Sequence, residues 1–290
     1  MKNYYKVAGA LFLWSTWGVV VKKLQLNPLH IVFFTTLFSL PPIFIISSCR
    51  PGALQQNLSG IRLHYPLLIL LAVSLLLNNY FYFAAFHHTS IAIAVFTHYT
   101  APIFVAFLAP FLLAEKFEKR LMLPLTVALL GLAIILAPDF NFNLSATDAA
   151  GALYGVASGL AYAFTLIFAK RLTSKLSPLA LVFGQSFFMI LALSPFFAFN
   201  FLFSLPTLSW FWLIGLGLTH CALAPLLYLS GLSHIKAQYA AIIGYLEPLS
   251  AVFLGLLLAH EAPSWSTWMG GASILFSGAL ITGLRKRSQT

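Results

Sequence analysis

Charge is what this chain has least of. Only 8% of its 290 residues are Asp, Glu, Lys or Arg, against about 25% in ordinary globular domains. Aspartate occurs twice, at Asp139 and Asp148, and cysteine twice, at Cys49 and Cys221. Each scarcity excludes something. A water-facing surface cannot be built from so few charges without leaving large apolar patches. Two aspartates confined to one polar stretch cannot form an intramembrane acid–base dyad. Two distant cysteines offer neither zinc spacing nor a disulfide framework. The sequence also contains no HExxH and no GxxxxGK[ST], the signatures of zinc peptidases and of a built-in ATPase. No metal, no cofactor and no enzymatic activity are expected.

What is present is apolar. Hydrophobic residues make up 60% of the chain and mean hydropathy is +0.92, so the solvent implied is lipid. A helix crossing a hydrocarbon core of ~30 Å needs ~20 apolar residues. Suitable stretches fall near residues 4–21, 29–48, 65–86, 90–113, 121–138, 149–169, 178–199, 208–231, 235–258 and 264–284. The expectation is an all-α integral membrane protein of ten transmembrane helices. The first stretch holds Trp14 and Trp17 and is followed, not preceded, by Lys22 and Lys23; it reads as a retained helix rather than a cleavable leader.

The net charge of +10 need not mean a nucleic-acid partner. With the amino terminus on the cytoplasmic side, every Lys and Arg except Lys22 and Lys23 falls in a cytoplasmic segment. That asymmetry obeys the positive-inside rule. It places both termini in the cytoplasm and supports an even number of helices in the cell membrane.

The chain also resembles itself. At an offset of 146 residues, Ala101-Pro102-Ile103-Phe104-Val105-Ala106-Phe107 aligns with Glu247-Pro248-Leu249-Ser250-Ala251-Val252-Phe253, Tyr82 with Tyr228, Tyr99 with Tyr245, and Glu115 with Glu261. Upstream, at a slightly different offset, Ala8-Gly9-Ala10-Leu11 matches Ala150-Gly151-Ala152-Leu153. Two repeats, residues 1–140 and 148–287, each hold five helices. Five is odd, so the second repeat crosses the membrane upside down, the arrangement that lets two halves exchange conformations around a shared cavity.

These motifs, Tyr99 to Ala106 leading to Glu115 and Tyr245 to Ala251 leading to Glu261, resemble the tandem EamA domains of the drug/metabolite transporter superfamily across essentially the whole chain. The resemblance implies ten helices around a central cavity and substrates such as amino acids, other metabolites or amphipathic drugs. The expected function is a secondary carrier working by alternating access on a small amphipathic metabolite, an amino acid or related amine before others. A carrier of nucleotide-type or other anionic metabolites is the alternative, with Lys22, Lys23, Lys170 and Arg171 as its candidate cations. A membrane-embedded enzyme or a channel are the rivals from other classes. One chain could enclose a complete cavity, so a monomer in the bilayer suffices.

Glu247 lies twelve residues into the ninth apolar stretch. A carboxylate in that position is costly unless it faces protein or water; it is a candidate for substrate binding and proton coupling, against the plainer reading that it satisfies backbone near Pro248. His98 falls on the repeat-equivalent face of the fourth stretch and is the second proton-coupling candidate, against a packed core histidine. Asn78 and Asn79 in the third stretch and Gln185 in the seventh need polar partners. Trp17, Tyr82, Tyr99 and Tyr162 complete the candidate binding set as an aromatic wall, although for each taken alone packing is the better reading. Pro102 and Pro248, being repeat partners, are the candidate gate or hinge. Gly151, Gly155 and Gly159 form a smooth stripe for helix packing. Glu115 and Glu261 are expected to cap the start of the helix that follows each.

Overall fold

The computed structural model describes residues 2–17, 24, 26–49, 52–139, 145–196, 205–259 and 265–287. Glu261, Lys22, Lys23 and Arg50, and the side chains of Arg285, Lys286 and Arg287, lie outside that description. Among the described residues there is no strand. The helices are α1 (Lys2–Ser15), α2 (Pro28–Ser48), α3 (Ala53–His88), α4 (Ile91–His98), α5 (Ala101–Leu113), α6 (Met122–Leu136), α7 (Ala146–Leu172), α8 (Pro178–Leu193), α9 (Thr207–Leu216), α10 (Ala224–Leu232), α11 (Ala237–Ile243), α12 (Leu246–Ala259) and α13 (Trp265–Arg287). A π-helical segment, Gly217–Leu223, joins α9 to α10 without interruption.

Seven of the helical stretches among the described residues are long and apolar enough to cross a membrane. Their outward faces agree with a lipid solvent: large apolar side chains such as Phe111, 84% exposed, and Leu153, 71% exposed, recur along the helices, more exposed apolar surface than soluble proteins usually carry.

Three boundaries differ from those read in the sequence. The third helix begins at Ala53, not near 65, and bends at His64, whose φ/ψ of −115°/19° is not helical. Pro66, just beyond, has no N–H to give the preceding turn. The added turns carry Gln55, Gln56, Asn57 and Arg62, too polar to register as part of an apolar run. The fourth stretch is two helices, α4 and α5, parted at Tyr99–Thr100, and the ninth is likewise α11 and α12, parted at Gly244–Tyr245. Hydrophobicity alone cannot see such breaks, because both halves are equally apolar.

The chain forms two compact units. Residues 1–73 and 168–234 make the first, where α1 packs on α10 and α2 packs on both α8 and the π-helical segment. Ser39 and Ser186 meet at 3.3 Å between α2 and α8, and Lys170 Nζ donates to the Leu232 carbonyl at 2.8 Å. Residues 74–167 and 235–290 make the second, where α6 packs on α13 and α5 on α11. There a Cβ on Gly131 would stand 2.7 Å from the Gly270 carbonyl oxygen, so only glycine permits that approach. Each unit draws helices from both halves of the sequence.

Candidate functional site

The second unit gathers most of the polar and aromatic candidates around the two helix breaks. At the first, turn bonds replace helical ones: Thr100 N–H reaches the Thr97 carbonyl at 3.2 Å and Ile103 N–H the Thr100 carbonyl at 2.9 Å. At the second, Tyr245 N–H reaches Ile242 at 3.2 Å and Glu247 N–H reaches Gly244 at 3.0 Å. Pro102 and Pro248 both stand in the first turn of the half-helix that follows, where a missing N–H leaves nothing unpaired.

Glu247 is therefore placed otherwise than its sequence position suggests. It sits in the first turn of α12 rather than in mid-helix. A carboxylate there faces the positive end of the helix dipole. The Glu247 carboxylate and the Tyr99 hydroxyl are hydrogen-bonded.

Tyr99 connects outward in two directions. Its carbonyl oxygen accepts from the Tyr245 hydroxyl at 2.8 Å, and the two rings lie 5.8 Å apart. Its ring stands edge-on to His98 at 5.2 Å. The His98 imidazole in turn lies 4.3 Å from the Tyr82 ring and 5.7 Å from the Tyr162 ring, and its Nδ1 is hydrogen-bonded to Ser158 Oγ at 2.6 Å. His98 and Tyr245 are buried. Tyr82, Tyr99, Tyr162 and Glu247 are half-buried, so each keeps a surface that a small molecule can touch.

Asn78 stands one helical turn before Tyr82 on the same face of α3. It is buried, and its Oδ1 has no hydrogen-bond partner. One turn earlier again, Ser74 accepts from Thr165 of α7 at 3.0 Å. Thr165, Tyr162 and Ser158 share a face of α7, so the face bearing Ser74, Asn78 and Tyr82 runs antiparallel to it. Asn79 points away from that face and is half-buried. Trp17 and Gln185 belong to the first unit, Trp17 with its ring 5.4 Å from the His220 ring.

Gly151, Gly155 and Gly159 face α4 and its leading turn. A Cβ on Gly151 would fall 2.5 Å from Thr89 Cβ, one on Gly155 2.9 Å from Thr97 Cβ, and one on Gly159 2.6 Å from the His98 carbonyl oxygen. This close approach is what brings Ser158 within reach of His98.

Glu115 corrects an expectation. Its Oε1 accepts from the N–H of Ala237 at 2.9 Å and so caps the start of α11, not of the helix that follows it in sequence. Ala114, at φ +53°, turns the chain after α5. Around this cap, Gln238 donates to the Lys116 carbonyl at 3.0 Å and accepts from Glu118 N–H at 3.2 Å, and Lys236 pairs with Glu118. The hydrogen bond it donates to the Glu118 carboxylate holds the Lys236 ammonium above the usual lysine range.

Sequence reasoning missed Ser158, whose only signal was its place beside Gly159, and it marked Tyr245 as the repeat partner of Tyr99 without a bond between the two. It also missed His220, which no repeat match marked.

Comparison with known proteins agrees with the architecture. Residues 2–137 and 149–283 each match the model of the EamA-like transporter family. An uncharacterized transporter of Archaeoglobus fulgidus is 33% identical over 93% of this chain and 92% of its own length. The uncharacterized inner membrane transporter YicL of Salmonella typhimurium is 26% identical over 97% of this chain and 95% of its own. A solved crystal structure of a protein superposes with a TM-score of 0.80, covering 99% of both chains at 18% identity; that likeness concerns the fold.

Proposed function

We infer a mechanism and a substrate class from one premise: this chain belongs to the EamA-like transporter family and is a multi-pass membrane transporter. It is a secondary carrier of a small amphipathic metabolite bearing an amine, an amino acid or a related compound, working by alternating access in the cell membrane. In this reading ten helices form two inverted repeats, both termini are cytoplasmic, and a single chain suffices.

The observation that carries the substrate class is the Glu247 carboxylate at the start of α12, hydrogen-bonded to Tyr99 within a set of tyrosines. A primary ammonium needs acceptors and π faces. Glu247 supplies charge, Asn78 Oδ1 an acceptor with no protein partner, and the rings of Tyr82, Tyr99 and Tyr162 supply cation–π attraction. No Lys or Arg takes part in the hydrogen bonds or ring contacts described for this cluster. The start of α5, beside Tyr99, presents a positive dipole end suited to a substrate carboxylate. His98, buried against Ser158, orients Tyr82 and Tyr162 and is, with Glu247, a candidate carrier of a coupling proton. Asn79, Trp17 and Gln185 are further candidates for contact with the substrate.

Pro102 and Pro248 stand at the breaks where each half-helix can pivot, and the glycine stripe of α7 provides the smooth face along which α4 moves. The anionic alternative is weakened by Lys170, whose ammonium is engaged by the carbonyls of Leu232 and Ser233.

Counterflow in proteoliposomes tests the reading. Vesicles preloaded with unlabelled amino acids or amines should accelerate uptake of the labelled compound, and a competitor panel ranks ligands by their amine. Steady single-channel currents in planar bilayers, or acceleration by anionic metabolites alone, would contradict it.

A further inference from the structure

The first unit holds a second buried histidine. His220 lies in the π-helical segment Gly217–Leu223, is 6% exposed, and has both ring nitrogens engaged. Nε2 is 2.9 Å from Thr16 Oγ1, and Nδ1 is 2.8 Å from Thr219 Oγ1. Each of those hydroxyls has only one hydrogen to give. Thr16 Oγ1 donates to the Leu13 carbonyl at 2.8 Å, and Thr219 Oγ1 to the Gly215 carbonyl at 2.7 Å. With both hydrogens so committed, both threonine oxygens face the ring as acceptors. A ring flanked by two acceptors is satisfied by N–H on both nitrogens, the imidazolium form. A neutral ring is satisfied only when one threonine hydroxyl turns from its carbonyl to the bare nitrogen.

Two further contacts suit a cation. The Trp17 ring lies 5.4 Å from the imidazole, within cation–π range, and Trp14 Nε1 donates to the His220 carbonyl at 3.0 Å, adding a bond to the backbone of the π turn. Such π segments are rare within α-helices and are frequent at functional sites. The same hydroxyl device occurs in each half of the sequence: seven residues on from the matched Gly9 and Gly151 stand Thr16 and Ser158, and each binds a buried histidine, His220 in one unit and His98 in the other.

We propose that His220 is a proton-binding site of this transporter, its imidazolium held between Thr16 and Thr219 against Trp17, with proton release accompanied by rotation of one threonine hydroxyl. No bond other than N–H is made or broken, and the proton passes to water or to a neighbouring acceptor. The titratable groups on the elements packed around it are few. The π segment itself carries Cys221, hydrogen-bonded to Thr35 and Thr36; α10 carries Tyr228, 5.2 Å from Trp14; α2 carries His30. On α1 the titratable residues Lys2, Tyr4, Tyr5 and Lys6 stand at the far end, Lys6 being about 15 Å along the axis from Thr16 at 1.5 Å per residue.

The test is nitrogen NMR of histidine-labelled, full-length protein in lipid nanodiscs, with the His220 signal identified by its loss in His220→Gln. Acidification within the range where the protein stays folded should bring His220 to the doubly protonated signature. Thr219→Val and Thr16→Val, each deleting one acceptor, should lower the protonated population about tenfold at a given pH, and Thr219→Ser should restore it. A His220 that keeps one bare nitrogen throughout that range, or valine variants that titrate as wild type does, would overturn the proposal. If His220→Gln does not fold, the threonine variants identify the signal by its displacement. The readout needs no substrate, so it stands or falls apart from the amine-carrier reading.

Discussion

The Tyr245 hydroxyl donates to the carbonyl oxygen of Tyr99 at 2.8 Å, so the residue at one helix break ties down the backbone of the other. The two are sequence-repeat partners, 146 residues apart, and the bond crosses between the half-helix pairs α4–α5 and α11–α12. A carbonyl at a break has lost its helical partner, and inside a membrane no water replaces it cheaply. Tyr245 therefore satisfies a group that the break itself created.

Tyr245→Phe keeps the ring and deletes only that bond. It should destabilise the protein by about 1–3 kcal/mol, because an acceptor is left unsatisfied in a buried place. Thermal unfolding in detergent measures this, and counterflow should show slower exchange at unchanged competitor ranking. An unchanged melting temperature would mean that the carbonyl finds another donor.

Glu247→Gln tests the substrate assignment. The amide is nearly isosteric and still hydrogen-bonds Tyr99, so folding should be preserved while counterflow of amines falls at least tenfold, the loss expected for one charge-assisted contact of about 1.5–3 kcal/mol. Any pH dependence of transport carried by Glu247 should disappear with it. A fully active variant with an unaltered pH profile removes Glu247 from the mechanism.

Much of this architecture was legible in the chain, and the residues show why the rest was not. Apolar run lengths locate the spans because lipid imposes one requirement on all of them. The repeat match at Tyr99 and Tyr245 pointed to equivalent places, but not to the breaks there, since Ile91–His98 and Ala101–Leu113 are as apolar as one continuous helix would be. Tyr82, His98, Tyr99, Tyr162 and Glu247 could be nominated as polar or aromatic groups inside spans. Ser158 could not, because serine among glycines signals packing, and its bond to His98 depends on how closely α7 and α4 approach. Glu115 shows the same limit: its partner, Ala237, is 122 residues away, and a cap read locally goes to the wrong helix.

That approach of α7 to α4 can be tested by adding a single methyl group. Gly159→Ala would place a carbon 2.6 Å from the His98 carbonyl oxygen, backbone that cannot swing aside, whereas a Cβ on Gly9 of α1 meets nothing within 4 Å. Overpacking of this kind costs about 1–3 kcal/mol, so Gly159→Ala should lower thermal stability clearly. Gly9→Ala should leave it equal or raise it by up to about 1 kcal/mol through helix propensity. Similar melting temperatures for the two variants would show that the stripe is not a tight interface.

The Lys236–Glu118 pair offers a prediction with a defined pH sign. Glu118 raises the folded-state value of Lys236 above the ordinary 10.5, so the ammonium form is favoured by folding. Its contribution is present in full below that ordinary value and is lost as pH rises through the higher folded one. The lysine side chain is 42% exposed, which limits the pair to about 0–1 kcal/mol, screened by salt. Lys236→Met should therefore lower the melting temperature slightly at neutral pH and low salt, and the difference from wild type should shrink at high salt and at strongly alkaline pH. Glu115→Gln, which weakens the cap on Ala237 next to it, should cost about 0.5–2 kcal/mol and retain most of that cost in high salt, since a cap bonded to a backbone N–H is a local contact that bulk ions screen poorly. Equal salt sensitivity in the two variants would mean that the ion pair and the cap act as one network.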